Sequence, residues 1–232
     1  MQIAPHNNLG MSNQTVAWYQ LDSEALYKKN LRHQKSILEK FGWLDRDICY
    51  RFNSHGFRSE EFDDSGNSMI SLGCSHTFGI GLPNELIWNS VVSTALGLKN
   101  YNLGIGGSSN DTAFRLANHY IPLLRPQVVI FLSTERSRFE LNTADNTIED
   151  LGVWNTFQDA KQFWQHWITN DLNSNMNYEK NQLAIKAICQ QHGVKYLHIE
   201  ALSVSLLDYA RDLQHYGPKT HKGIANKMLK SL

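Results

Sequence analysis

Met69-Ile70-Ser71-Leu72-Gly73-Cys74-Ser75-His76-Thr77-Phe78-Gly79 is the stretch from which the rest of this 232-residue chain can be read. It opens on a short apolar run and breaks at Gly73 into a turn of small and polar residues. Further runs follow in the same texture. Tyr101–Ile105 comes after a helix-like stretch, Asn84–Leu96, with Pro83 just before it. Val128–Leu132 comes after Asp111–Leu124, and Tyr196–Ile199 after Tyr178–His192. Short apolar strands alternating with helical stretches of about ten to fifteen residues mark a parallel sheet covered on both faces. The expected fold is α/β, a three-layer α/β/α sandwich with a mainly parallel sheet. In such folds ligands bind beyond the carboxyl ends of the strands, where the strand order reverses. The residues just after each apolar run therefore matter most.

The first third reads differently. Residues 1–20 are rich in Asn, Gln and Ser and show no sustained period, which predicts an extended arm over the surface. Leu26, Leu31, Ile37, Leu38 and Phe41 suggest one amphipathic helix over Ser23–Phe41, capped by Asp22 or Ser23 and followed by Gly42. Glu60-Glu61-Phe62-Asp63-Asp64-Ser65-Gly66 reads as a solvated loop. Residues 1–66 are thus expected to form an arm and helix packed on a domain of residues 67–232. Residues 142–177, aromatic and Asn/Gln-rich, fit an insertion over one sheet edge or a lid; Trp154, Phe157, Phe163, Trp164 and Trp167 would be core or a flat wall for a sugar ring.

Composition excludes several classes. Lys+Arg and Asp+Glu are each 22, so the chain lacks the positive excess that phosphate binding needs, and nucleic acid is not an expected partner. No apolar run approaches the roughly 20 residues needed to cross a bilayer. The polar stretch Met1–Met11 does not read as a signal peptide. Cys49, Cys74 and Cys189 stand at no metal-type spacing and are expected as free thiols in a reducing compartment, hence a cytoplasmic protein without membrane partners. His215 and His221 lack a third ligand, so no metal is expected. Gly104-Ile105-Gly106-Gly107 lacks the third glycine and the later acidic residue of a dinucleotide fingerprint, so no cofactor is expected either.

Two features carry chemistry. Ser75 follows a strand at a glycine-bounded turn, where its hydroxyl could act as a nucleophile if a base were near. In Asp212-x-x-His215 the carboxylate can bond one imidazole nitrogen and leave the other free to take a proton, as in a Ser-His-Asp triad. Either alone is weak: strand-end serines are commonly turn residues, and D-x-x-H arises in helix caps.

In this order, however, the pieces resemble the blocks of the SGNH (GDSL-like) hydrolases. Gly73-Cys74-Ser75-His76-Thr77-Phe78-Gly79 looks like their first block. Tyr101-Asn102-Leu103-Gly104-Ile105-Gly106-Gly107-Ser108-Ser109 looks like the second, and Asp212-Leu213-Gln214-His215-Tyr216-Gly217-Pro218 like the last. Asn53-Ser54-His55-Gly56-Phe57-Arg58 is similar to an element that precedes the first block in some members. The resemblance spans roughly residues 50–230. It implies a flavodoxin-like sheet in residues 67–232 and hydrolysis of esters or thioesters. Ser75 would be nucleophile, His215 base and then acid, and Asp212 its orienting partner, with the Ser75 and Gly107 N–H groups binding the oxyanion.

Two departures stand out. Cys74 replaces the usual Asp of the first block. The Asn of the third block, itself an oxyanion donor, is missing after Leu132, where Ser133-Thr134-Glu135-Arg136 stands instead. Asn110 and Arg136 are the candidate substitutes, and His76, Asn110 and Arg136 the candidate substrate contacts; Asn110, Asp111, Arg136 and Arg138 could together contact a hydroxylated leaving group. Three functions remain open. The first is a serine esterase for a short acyl ester, acetyl for choice, of a polar or carbohydrate alcohol, its partner being that small molecule. The others are an acyltransferase with the same triad and a non-catalytic protein on the same fold.

Overall fold

The computed structural model describes residues 9–63, 65–142, 147–154, 166–167 and 170–232. A first β-pair joins β1 (Thr15–Val16) to β2 (Tyr50–Arg51), with α1 (Glu24–His33) and α2 (Lys35–Lys40) between them. The central sheet follows: β3 (Ser68–Gly73), β4 (Lys99–Asn102), β5 (Val128–Ser133) and β8 (Lys195–Glu200). Its order is β4-β3-β5-β8, and every neighbouring pair is parallel. Between these strands run α3 (Ser75–Phe78), α4 (Trp88–Leu96), α5 (Asn110–Leu124) and α6 (Asp171–Gln191), and α7 (Pro218–Ser231) closes the chain. A small antiparallel hairpin, β6 (Phe139–Asn142) and β7 (Ile148–Leu151), stands apart from the main sheet.

Alternation along the strands divides the core into two layers. Met69, Val128, Ile130 and Leu132 face Trp88 and Val92 of α4 and Ile224 and Met228 of α7. Ile70, Leu72, Val129 and Phe131 face Leu116, Tyr120 and Ile121 of α5 and Ile185 and Cys189 of α6. All of β3 and β5 is buried, which is why these segments read as continuous apolar runs. The result is the expected three-layer α/β/α sandwich with a parallel sheet. Residues of the amino-terminal segment, Leu38, Trp43, Ile48, Tyr50 and Phe52, belong to the α4/α7 layer.

Element boundaries depart from the sequence reading where tertiary contacts intervene. The single helix expected over Ser23–Phe41 is two, broken at Gln34, whose φ is −139°. The break lets the two helices bury unlike residues: Asn30 in α1, whose amide donates to the Asp212 carbonyl at 3.2 Å, and Leu38 in α2. Ser23 caps α1, its Oγ accepting from Leu26 N. The stretch Asn84–Leu96 splits into a 3-10 turn and α4 at the extended residue Ile87. The strand expected to reach Ile105 ends at Asn102, but Leu103 N and Ile105 N still donate to Ser71 O and Gly73 O. Helix α6 begins well before Tyr178, capped by Asn170, because Asn177 and Asn181 donate to the Asp111 carboxylate. That face is held by polar groups, and apolar periodicity does not reveal it. In the 142–177 region, the β6–β7 hairpin is fixed on α5 by a two-pronged Arg115–Glu140 ion pair, 2.8 Å in each arm and almost fully buried. Trp167 packs on Phe139; Phe157, Phe163 and Trp164 lie outside the described residues.

Helix α4 has no cap of its own. Instead Nδ1 of the buried His221, on α7, accepts from Trp88 N at 3.1 Å. Burial, reinforced by the neighbouring His215 and Arg58, lowers the His221 pKa to about 3. The unfolded chain therefore binds a proton that the folded protein refuses between roughly pH 6.5 and 3, and stability falls as pH falls through that window. Each pH unit there costs about 1.4 kcal/mol for this one group. His221→Asn, which keeps an acceptor but cannot titrate, should flatten the decline in urea midpoint between pH 6 and 4. An unaltered slope would mean that His221 is protonated in the fold.

Candidate active site

The chain leaves β3 for β4 on one side and returns to β5 on the other, so the strand order reverses beside the carboxyl end of β3. Ser75 stands there, as the first residue of α3. The turn before it needs glycine. Gly73 has φ +148°, and a Cβ there would overlap Thr77 Oγ1 and come within 2.5 Å of Leu132 O. The buried Cys74 supplies the carbonyl that accepts from Thr77 N and Phe78 N, both at 2.9 Å. Its Sγ lies 3.9 Å from Ser75 Oγ.

The short helix leaves carbonyls that must be satisfied. Thr77 O accepts from the Asn89 and Asn102 amides at 2.9 and 3.0 Å. Arg58 takes the rest: its guanidinium donates to Phe78 O, Gly79 O and Leu82 O, and packs 4.4 Å from the Tyr50 ring centroid. Its burial lowers the guanidinium pKa to about 10. Asn53 folds the turn that delivers Arg58, its Oδ1 accepting from His55 N and Phe57 N. The Asn53–Arg58 element is therefore scaffolding for the serine turn.

Asp212 and His215 sit in a tight hairpin closed by the Tyr209–Tyr216 bridge, not on a helical turn. Asp212 Oδ1 accepts from Gln214 N and His215 N at 3.0 and 3.1 Å, and Oδ2 pairs with His215 Nδ1. Leu213, with φ +58°, makes the reversal. The hairpin is fastened from both sides. Arg211 N donates to Gly81 O, and an added Cβ on Gly81 would come within 2.9 Å of Ala210 Cβ. The Arg211 side chain donates to both carboxylate oxygens of Asp22, at 2.9 and 2.6 Å, in a pair only 5% and 1% exposed. Tyr50 Oη donates to the same Asp22 and accepts from Gly81 N.

Ser75 and His215 line one cleft of about 540 Å³ together with Gln20, Leu21, Gly106, Gly107, Arg138, Asp150 and Trp154. Asp212 lies behind His215. Among the described residues nothing accepts from the N–H of Ser75 or of Gly107, and Gly107 has the left-handed φ of +80°. Gln20 reaches Gly106 from the amino-terminal segment, its amide donating to Gly106 O at 3.4 Å.

The other sequence candidates are placed elsewhere. His76 stacks on Tyr216 at 3.8 Å and meets His215 edge-on, forming the wall behind the imidazole. Burial, with His215 and His221 nearby, holds its pKa well below the ordinary range. Asn110 is spent on the backbone of Thr134, accepting from its N and donating to its O. Arg136 pairs with Glu200 and Asn175 and lies over Tyr178. None of the three lines the cleft. Arg138 and Trp154, both singled out in the sequence, do line it, together with Gln20, Leu21 and Asp150, which no motif marks. Among the described residues no group of three His, Cys, Asp or Glu side chains is placed to hold a metal, and no helix is long and apolar enough to cross a membrane.

A serine hydroxyl, an oriented imidazole and two unused N–H groups around one cleft have the parts for acyl transfer. No family model matches this chain, and no curated protein matches it. Solved structures do resemble it. A protein assigned to the G-D-S-L lipolytic family from Desulfitobacterium hafniense is 12% identical, covering 72% of this chain and 99% of its own, with a TM-score of 0.39. The acetyl xylan esterase Est2A from Butyrivibrio proteoclasticus is 11% identical over 75% and 65%, with 0.40. The esterase EstA from Pseudoalteromonas is 14% identical over 71% and 96%, with 0.38. The fold itself is defined by the strand order and the layers described above.

Truncating Arg211 to Ala leaves Asp22 charged and buried without its partner. It should cost about 3–5 kcal/mol, read from urea denaturation. Replacing both residues, as Asp22→Asn with Arg211→Met, should cost less than the sum of the two single changes. A loss below about 1 kcal/mol for Arg211→Ala would mean that water reaches the pair.

Proposed function

We propose that the protein is a serine esterase that hydrolyses a short-chain acyl ester, acetyl in the first instance, of a polar or carbohydrate alcohol. One observation carries the reading: Ser75 and His215 share a cleft, and Asp212 bonds the imidazole nitrogen that faces away from it. With Nδ1 tied to Asp212, His215 presents Nε2 as the base. It takes the Ser75 proton as Oγ attacks the ester carbonyl, and the N–H groups of Ser75 and Gly107 receive the oxyanion. His215 then protonates the departing alcohol. Water, activated by the same imidazole, releases the acid and restores Ser75.

Asn110 is committed to Thr134, so this oxyanion hole works with two backbone donors. A missing third donor is worth roughly 3 kcal/mol of transition-state stabilisation, which predicts modest turnover. The small residues Gly73, Ser75, Gly106, Gly107 and Ser108 give a carbonyl close access to these N–H groups. They offer no long apolar trough, and each buried methylene of a long acyl chain would need about 0.8 kcal/mol of such surface.

A fluorophosphonate should label Ser75, and His215→Ala should suppress the labelling. Asp212→Asn should lower kcat on the order of 10⁴-fold while substrate still binds, because the imidazole loses the acceptor that fixes its tautomer. Labelling at Cys74, or none on folded protein, would remove the triad assignment and leave a binding protein on this fold. Across p-nitrophenyl esters, activity should peak at acetate or propionate; a maximum at octanoate would assign the Trp154 side of the cleft to a lipid chain. Faster acyl transfer to an added sugar than to water would make the protein a transferase.

A further inference from the structure

Among the described residues, Arg138 is the arginine or lysine that lines the cleft. It follows a turn at residues 136–137. Its Nε donates to Glu135 Oε2 at 3.2 Å, and its guanidinium carbon lies 4.8 Å from the centroid of the Trp154 ring. The side chain is only 14% exposed, and neither Nη atom has an acceptor among the described residues. A guanidinium held by its Nε and by one face keeps a single free edge, the planar pair of N–H groups that fits a carboxylate in two parallel bonds. A fork with no acceptor among the described residues, at the border of the cleft, is open to a substrate group.

Resting on the esterase reading above, we infer that the substrate carries a carboxylate on its alcohol half and that Arg138 binds it. An acetyl or similarly short acyl half carries no second polar group, so the anion belongs to the alcohol. Trp154, half exposed at the rim, offers a flat apolar face to a ring bearing that carboxylate, as in a sugar acid or an aromatic hydroxy acid. The charge of the site favours a monoanion. Glu135 already offsets part of the Arg138 charge, and Asp150, kept by Thr112 Oγ1 at 2.7 Å, borders the same cleft. A dianionic phosphate would meet these two carboxylates, and among the described residues the lining holds no second arginine or lysine to balance it.

The test compares 4-acetoxybenzoate with its neutral methyl ester, using the full-length protein at low salt. The intact site should favour the carboxylate at least tenfold in kcat/KM, mostly through KM. Arg138→Gln should bring the ratio to about one, and Arg138→Glu should invert it. On the unmodified protein, free 4-hydroxybenzoate should compete at least tenfold better than its methyl ester, a readout that needs no variant. Hydrolysis of both esters without preference, or a ratio unmoved by Arg138→Gln, would overturn the carboxylate site and leave the esterase standing. Stronger competition by inorganic phosphate than by the benzoate would overturn the carboxylate assignment as well. Absence of any Ser75-dependent hydrolysis would overturn the esterase reading and this inference with it.

Discussion

Asp22 and Arg211 meet in the interior of the protein, each nearly cut off from water, and most of the candidate site hangs on their meeting. Arg211 precedes Asp212, so wherever the guanidinium is held, the carboxylate that orients His215 is held too. The same Asp22 receives the hydroxyl of Tyr50, and Tyr50 in turn receives the N–H of Gly81, in the loop that follows the serine helix. One carboxylate thereby ties together the amino-terminal segment, the imidazole hairpin and the loop downstream of Ser75. A buried pair of this kind is weak evidence for stability, since desolvation offsets much of its attraction. Its contribution here is to fix relative position, because neither charge can turn elsewhere without being left unpaired.

Arg58 plays a comparable part for the serine turn. A helix of four residues cannot satisfy its own ends, and the left-handed Gly79 (φ +83°) stops it after Phe78. The carbonyls of Phe78, Gly79 and Leu82 are met by a single guanidinium, and that of Thr77 by two asparagine amides. The serine turn is thus held by groups donated from β2's neighbourhood, α4 and β4, and none of those donors touches the cleft itself.

The sequence was legible where chain-local rules govern. Ile70, Leu72, Ile130 and Leu132 announce buried parallel strands because both faces of the sheet are covered, and Gly73 with Ser75 announces a turn because no other residue fits there. The spacing of Asp212 and His215 made their pairing one weak possibility, and the hairpin that joins them left no mark in the sequence. What stayed hidden is set by contacts between distant segments. Gln34 interrupts a helix whose first half turns Asn30 to the Asp212 carbonyl. Gln20 and Leu21 reach the cleft because Asp22 is pinned to Arg211. Arg136 and Arg138 look equivalent on paper, but Arg136 stands in the turn at 136–137 and pairs with Glu200, while Arg138 follows the turn and lines the cleft.

The Asp22–Arg211 bond joins residues 189 apart in sequence. Closing so large a loop carries an entropic cost that local contacts do not, and contacts of such separation form late, after nearer ones have drawn the chain together. The sheet and its helices can assemble around β3 and β5 while the imidazole hairpin is still loose. During synthesis, Ser75, at the start of the helix that follows β3, leaves the ribosome long before Asp212 and His215. The nascent chain therefore carries Ser75 before the imidazole hairpin that shares its cleft, and the cleft is completed as a late event of folding.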